Sequence, residues 1–197
     1  MPADLQYTAA RSGGSWELPG PDVRTIGVAI PIPDPYGPEL RRWRESFGDP
    51  QARSIPTHIT LLPPTPVGAA ELAALEEHLT GVAEGGEPFL IRLRGTGTFR
   101  PVSPVVFVAV AEGIGACEQV QGKVRTGPLH RELQYPYHPH VTVAHHLDEA
   151  HLDRAYRELA GYEARFATWG FSLYEHGDDG VWRPRRDFAF GGTVRGW

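Results

Sequence analysis

Two short segments of the chain combine histidine and threonine in the same pattern. Residues 58–61 read His-Ile-Thr-Leu, and residues 140–143 read His-Val-Thr-Val. An imidazole can accept or donate a proton near neutral pH, and a threonine hydroxyl can donate a hydrogen bond to a phosphoryl oxygen. Two such pairs suit acid-base chemistry on a phosphodiester, in which one imidazole removes a proton and the other supplies one.

Strand geometry brings the polar residues of each tetrad together. Alternate side chains of a β-strand point to opposite faces, so His58 shares a face with Thr60, and His140 with Thr142. A tetrad of this kind is expected by chance roughly 0.1 times in such a chain, so two copies indicate a common role. We predict that His58 and His140 are the catalytic acid and base, in an order that the sequence leaves open, and that both threonines bind the phosphate.

The two tetrads lie in similar surroundings along the chain. Each predicted tetrad strand leads into an amphipathic helix, whose first anchoring leucine is Leu72 after the first tetrad and Leu152 after the second. This repeat predicts duplicated β-α modules in two lobes, with the tetrad strands lining a central groove and helices on the outer faces. The predicted strands cover residues 25–32, 57–62, 89–99, 105–111, 139–144, 165–174 and 181–190. Turn-rich connections between the strands over 89–99 and 105–111 and over 165–174 and 181–190 predict hairpins, which belong to antiparallel sheets.

Two helices are predicted in the second half of the chain. One runs from about Ile114 to Val124, with Ile114, Cys117 and Val120 inward. The other follows an N-cap at Asp148 and carries Leu152, Tyr156 and Leu159 on one stripe.

Domain organisation follows from composition. Residues 1–22 are rich in Gly, Pro, Ser and Ala without periodicity, which predicts a flexible arm, and residues 23–197 are expected to form one bilobal domain. The chain of 197 residues is 41% hydrophobic and contains one cysteine, Cys117, so an internal disulfide is excluded. Its start lacks a basic and apolar leader, and no apolar stretch is long enough for a membrane helix. We expect a cytoplasmic protein that does not span a membrane.

The formal net charge of −5 disfavours a protein that coats DNA or long RNA, because such binding relies on many Lys and Arg contacts to phosphates. A short or terminal phosphodiester remains a suitable partner. The chain also lacks a Gly-x-x-x-x-Gly-Lys loop, which argues against an ATP-driven ligase.

The residues around both tetrads resemble a known family. Residues 56–64 and 138–144 are similar to the two signature motifs of the 2H phosphoesterase superfamily, in particular its 2′-5′ RNA ligase-like branch. The resemblance implies a bilobal α+β fold and the metal-independent cleavage or formation of phosphodiesters that involve a ribose 2′ oxygen, without a cofactor. The substrates that it implies are RNA 3′ ends, small cyclic nucleotides and 2′-5′ linked ribonucleotides, with 2′-5′ ligation as the reverse reaction.

Three further residues are candidates for substrate binding. Tyr137 and Phe107 could stack on a nucleobase, as aromatic residues commonly do with single-stranded RNA. Packing in the core is the competing role for both. Arg100 could hold a phosphate, or it could be an exposed charge in a turn.

Two other functions compete with the paired-histidine enzyme. His138, His140, His145 and His146 fall within nine residues, and such a cluster could make a zinc-dependent hydrolase. On an extended strand, however, the three that share a face would be spread over roughly 26 Å, so a metal site would require a bend. We expect His138 at the rim of the groove. The second alternative is a non-catalytic protein that binds nucleotides or RNA ends.

Overall fold

The computed structural model describes residues 22–131, 133 and 135–192. The predicted arm therefore lies outside the described residues, apart from Asp22, which is in a turn. The strands and α-helices of the described residues are β1 (Val23–Pro31), α1 (Tyr36–Ser46), β2 (His58–Gly68), α2 (Leu72–Glu84), β3 (Phe89–Thr98), β4 (Val105–Glu112), α3 (Ile114–Val124), β5 (His140–His145), α4 (Glu149–Glu158), β6 (Glu163–Thr168), β7 (Gly170–His176) and β8 (Trp182–Ala189).

The strands form two antiparallel sheets of four strands with matching order. The first sheet runs β2-β1-β7-β8 and the second runs β5-β4-β3-β6. The tetrad strands β2 and β5 are both edge strands, and each pairs with the strand that begins its own β-α-β unit. The third position of each sheet is filled from the other half of the chain, by β7 and β3. The predicted α+β fold of two antiparallel sheets is confirmed.

The helices interlock the two sheets. Helix α1, which precedes β2, contacts β5, whereas α3, which precedes β5, contacts β2. Strands β2 and β5 also contact each other, and α4 covers β3, β4 and β5. The tetrad-bearing edges of the two sheets therefore meet at the centre of the fold. Within the described part of the chain, none of the helices has the length and apolar character needed to cross a membrane.

The alternation predicted for the tetrads is confirmed by burial. Ile59, Val141 and Val143 are 0% exposed and Leu61 is 1% exposed, and all belong to the apolar core. Full burial of one such side chain contributes about 1.5–3 kcal/mol. The apolar residues thus anchor each strand, and this fixes the face on which the histidines and threonines lie.

Strand β2 is longer than predicted. We expected it to end before Pro63, but it continues to Gly68 through Pro63, Pro64 and Pro66. Proline cannot donate a backbone hydrogen bond, so it is tolerated mainly in edge strands, where one side of the strand has no partner. Strand β2 is such an edge, and it pairs only with β1 among the described strands.

The strand predicted over residues 165–174 is in fact two strands. Strand β6 belongs to the second sheet and β7 to the first, and the chain crosses between them at Trp169. Gly170 begins β7 and permits its close pairing with β8, because a Cβ atom there would lie 2.1 Å from the carbonyl oxygen of Phe188. The predicted hairpin between the last two strands is confirmed as the pair β7-β8.

Two predictions about helix faces are wrong. Ile114 was expected to point inward in α3, but as the first residue of the helix it is 41% exposed. Tyr156 was expected on the buried stripe of α4, but it is 40% exposed, because the stripe uses Ala155 between Leu152 and Leu159. The predicted helix cap is confirmed: Asp148 accepts a hydrogen bond from the backbone N–H of His151.

Candidate active site

The backbone fixes the ring of His58 at the start of β2. Its Nδ1 lies 2.6 Å from the carbonyl oxygen of Pro56, and its Nε2 lies 3.1 Å from Oγ1 of Thr60. Because a carbonyl oxygen can only accept, Nδ1 carries the hydrogen of the neutral ring. The Nε2 atom is then the basic nitrogen, and it accepts the hydrogen bond of the Thr60 hydroxyl.

The same arrangement occurs at the start of β5. Nδ1 of His140 lies 2.7 Å from the carbonyl oxygen of His138, again two residues upstream. Pro139 restricts the preceding residue to an extended conformation, which helps to hold that carbonyl in place. In both tetrads a backbone carbonyl therefore fixes the ring through Nδ1, and Nε2 is the nitrogen that carries the lone pair of the neutral ring.

The threonines follow the histidines on the same strand faces. Thr60 and Thr142 are both half-buried, in contrast to the fully buried residues between them and the histidines. Thr60 pairs with Ala29 of β1, and Thr142 pairs with Phe107 of β4. Each threonine hydroxyl therefore lies two residues along the strand from a histidine, on the same face.

A tyrosine links the two halves of the site. The hydroxyl of Tyr137 donates a hydrogen bond of 3.0 Å to the carbonyl oxygen of Thr60, which joins the segment before β5 to β2. Burial raises the pKa of Tyr137, so the hydroxyl keeps its proton and remains a donor. The side chain is half-buried and packs against the core. We predicted stacking on a base for this residue; its observed contact joins the tetrad strands.

Burial shifts the acid-base behaviour of both histidines in the same direction. It lowers the pKa of His58, and the charge of Arg44 lowers it further, against the opposing hydrogen bond to Pro56. Burial lowers the pKa of His140 to about 4, with smaller contributions from the charges of His138 and His58, against the opposing hydrogen bond to the His138 carbonyl. Protonation of His58 therefore opposes protonation of His140, so the two imidazoles interact electrostatically across the two sheets.

A buried ion pair supports the loop that leads to His58. Arg44 of α1 donates from Nε and Nη2 to Oδ2 of Asp49, at 3.0 and 2.9 Å, and from Nη1 to the carbonyl oxygen of Ile55 at 3.2 Å. The side chains of Arg44 and Asp49 are 3% and 0% exposed. Our sequence analysis missed this pair, because its spacing matches no motif and only the tertiary fold shows that the loop is buried.

Aromatic rings surround His140. Phe107 is 5% exposed, and its ring centroid lies 5.1 Å from that of His140 and 5.2 Å from that of His138. Phe99, a half-buried residue that the sequence did not indicate, lies edge-on to His140 at 4.9 Å and to His138 at 5.7 Å. We call these four residues the aromatic cluster. Phe107 packs beneath the histidines, in the core role that competed with base stacking in the sequence analysis.

Arg100, the other residue predicted to contact phosphate, is bound by side chains of the protein. Nη1 of Arg100 forms ion pairs with Glu149 and Asp153, and its Nε donates to Oγ1 of Thr98 at 3.2 Å. These two carboxylates compensate the charge of the guanidinium. We therefore leave Arg100 out of the site proposed below.

His145 and His146, which follow the second tetrad, lie at the opposite end of β5 from His140. The rings of His145 and His146 stack at 3.7 Å at the end of β5, whereas His140 is the first residue of that strand. Among residues 22–131, 133 and 135–192, no group of three or more His, Cys, Asp or Glu side chains is arranged to hold a metal ion. The zinc-hydrolase alternative gains no support from this geometry.

Comparison with known proteins identifies the family. The profile of the 2′-5′ RNA ligase superfamily matches residues 32–180. The candidate phosphoesterase BH1439 of Halalkalibacterium halodurans is 30% identical over 167 residues, which is 84% of this chain and 96% of that protein. A candidate phosphoesterase of Bacillus licheniformis is 32% identical over 149 residues, or 73% of this chain and 85% of that protein. The chain belongs to the 2′-5′ RNA ligase superfamily of 2H phosphoesterases.

Solved structures agree in fold. Escherichia coli LigT, in a crystal structure with 3′-AMP, superimposes with a TM-score of 0.60 at 19% identity, over 85% of this chain and 98% of LigT. The Thermus thermophilus protein TT0787 gives a TM-score of 0.55 at 22% identity, over 86% of this chain and 99% of that protein. Other LigT crystal structures contain NADP+, ATP or phosphate.

Proposed function

We propose that the protein is a metal-independent phosphodiesterase in which His58 and His140 transfer protons. The observation that carries this proposal is the doubled arrangement of the two imidazoles. Each ring is fixed through Nδ1 by a carbonyl two residues upstream, and the strands β2 and β5 that carry the rings contact each other. An acid and a base held on opposite sides of one phosphate are what an in-line displacement at phosphorus requires.

The reaction that fits these groups is the opening of a ribose 2′,3′-cyclic phosphate. One imidazole takes a proton from water through Nε2 while the water oxygen bonds to phosphorus. The bond from phosphorus to one ribose oxygen breaks, and the other imidazole protonates that oxygen. The hydroxyls of Thr60 and Thr142 donate hydrogen bonds to the non-bridging oxygens as their negative charge increases. When a ribose 5′ hydroxyl replaces water as the nucleophile, the bond from phosphorus to the 3′ oxygen breaks and a 2′-5′ phosphodiester forms, which is 2′-5′ ligation.

The negative charge of the substrate stabilises the protonated form of the histidine that acts as the acid. Burial disfavours the imidazolium form, so at neutral pH both rings of the free protein are neutral. A phosphodiester anion between them favours the imidazolium and raises the pKa of the adjacent ring. Substrate binding and protonation of the acid are therefore coupled.

Nucleotides are the proposed substrate class. This proposal is supported by membership of the superfamily and by the LigT crystal structures with 3′-AMP, NADP+ and ATP. RNA 3′ ends that carry a cyclic phosphate present the same ribose group. A turnover screen of nucleoside 2′,3′-cyclic phosphates, 2′-5′ linked dinucleotides and cyclic-phosphate-ended RNA oligomers tests the proposal. If the protein turned over none of these three substrates, the result would contradict the proposal.

The pH dependence of kcat/KM should place the optimum on the acid side of neutrality. The reactive free enzyme holds one neutral and one protonated imidazole, and burial lowers both pKa values below their usual 6.5. We expect kcat/KM to fall from about pH 6 to about pH 8 as the acid loses its proton. The profile of kcat should lie at higher pH, because bound phosphate stabilises the imidazolium. Steady-state assays across this range measure both profiles.

Chelation provides the matching control. With paired imidazoles, exhaustive treatment with a metal chelator should leave both pH profiles unchanged. A kcat/KM that rises through neutrality, or turnover that chelator abolishes and zinc restores, would contradict the mechanism.

Removing one hydroxyl should weaken phosphate binding and catalysis together. Thr60→Val keeps the shape and strand propensity but deletes the donor 3.1 Å from Nε2 of His58. We expect kcat/KM to fall roughly 10²- to 10³-fold and inorganic phosphate to become a weaker competitive inhibitor. Thr126→Val, at an exposed threonine that follows α3, is the control and should change neither quantity. Normal phosphate inhibition in Thr60→Val would show that the hydroxyl is structural.

A further inference from the structure

His138 presents an exposed imidazole beside the site that no step of the proposed reaction uses. It lies two residues before His140 on the same side of the chain, and their ring centroids are 6.1 Å apart. Unlike His140, which is half-buried, His138 is exposed. Its backbone carbonyl fixes His140, and this contact does not depend on its side chain. The imidazole itself is therefore available for a contact with substrate.

Two phenylalanines pack against this ring. Phe99 meets His138 at an interplanar angle of 84°, and Phe107 meets it at 61°. Both contacts are T-shaped, so neither phenylalanine forms a parallel stack on the imidazole, and the His138 side chain stays exposed. Gly97 permits the arrangement, because a Cβ atom there would lie 2.4 Å from Cζ of Phe107. A supported, exposed and planar ring is suited to stack with another planar ring.

The other aromatic candidates near the site are already engaged. Phe107 is buried under the histidines, and the hydroxyl of Tyr137 is bonded to the carbonyl oxygen of Thr60. We propose that His138 is the nucleobase-binding residue of this enzyme, stacking on the base of the nucleotide whose phosphate lies between His58 and His140. This inference rests on the proposed function, since it assigns the base of the same substrate.

The spacing fits a single nucleotide. The ribose ring separates the base from the cyclic phosphate, and residues i and i+2 of a strand are separated by roughly 6–7 Å. A phosphate beside His140 therefore brings the base of the same nucleotide over His138. Stacking uses the face of the base and ignores its hydrogen-bonding edge. The four bases should thus be accepted within a few-fold of one another.

The test compares a nucleotide with the same ribose lacking a base. Adenosine 2′,3′-cyclic phosphate is assayed against a ribose 2,3-cyclic phosphate that carries a methyl group in place of adenine. In His138→Ala, we expect the ratio of kcat/KM for the two compounds to fall roughly 5- to 150-fold, and His138→Phe should largely restore it. Any effect of the His138 charge on His140 acts on both compounds alike and cancels in the ratio.

Three outcomes would overturn the inference. The ratio could stay unchanged in His138→Ala, it could fail to recover in His138→Phe, or Tyr135→Ala could abolish it instead. Tyr135 is the matched control, since it is an aromatic residue of the same segment and is 53% exposed.

A binding measurement separates failure of this inference from failure of the proposed function. If the unmodified protein hydrolyses neither compound and none of the other substrates of the screen, the proposed phosphodiesterase activity is wrong. Calorimetric titration with adenosine 3′-monophosphate and with inorganic phosphate then still tests His138. We expect His138→Ala to weaken binding of the nucleotide roughly 5- to 150-fold relative to phosphate. Equal changes for both ligands would contradict the inference.

Discussion

Replacing either tetrad histidine with alanine should lower kcat for a cyclic phosphate substrate by roughly 10²- to 10⁴-fold. His58→Ala removes one proton-transfer group and His140→Ala removes the other, and solvent replaces each poorly. The effects should be comparable in size, because acid and base act in the same step. The double variant should lose much less than the product of the two single losses, since groups that act as a unit are not additive. Steady-state kinetics on all three variants measures this.

Folding and specificity need their own controls in this experiment. Thermal melting should show that each histidine variant remains folded, because both rings lie at strand starts whose neighbouring apolar residues carry the packing. His176→Ala is the matched control, since His176 is an exposed histidine that ends β7 and packs on Trp182. It should have normal activity. Near-normal turnover in a folded His58→Ala or His140→Ala variant would refute the paired mechanism.

Breaking the buried ion pair behind His58 should have the largest effect on stability. Asp49→Ala leaves the guanidinium of Arg44 buried without its carboxylate, a change that costs about 3–5 kcal/mol in the free energy of unfolding. For a chain of this length, this corresponds to a fall in Tm of roughly 6–20 °C. Activity at a permissive temperature should also fall, because Arg44 bonds Ile55 in the loop that leads to His58. Denaturant titration and melting measure the stability change.

An exposed ion pair gives the comparison. Glu158→Gln removes the partner of Arg154 on the surface of α4, where the two side chains are 39% and 43% exposed. This change should cost less than about 1 kcal/mol, because water screens the charges. A loss in Asp49→Ala no greater than in Glu158→Gln would mean that the buried pair does not stabilise the fold.

The sequence by itself determined the local features of this protein. Strand alternation placed His58 with Thr60 on one face and His140 with Thr142 on another, and the structure has this arrangement in β2 and β5. The repeated order of strand, turn and helix indicated two matching β-α modules. Both inferences depend on interactions between residues close in sequence, and those are fixed by side-chain type and spacing.

Only the tertiary structure decided what surrounds the tetrads. Strand β2 passes through three prolines because it is an edge strand, and the predicted strand over residues 165–174 divides between two sheets, outcomes that depend on which strands pair. The ion pair of Arg44 with Asp49 and the contact of Tyr137 with Thr60 also join distant segments. Local patterns do not specify such pairings, because their energies arise only when burial brings the segments together. For the same reason the lowered pKa values of His58 and His140 follow from burial in the folded protein rather than from the tetrads.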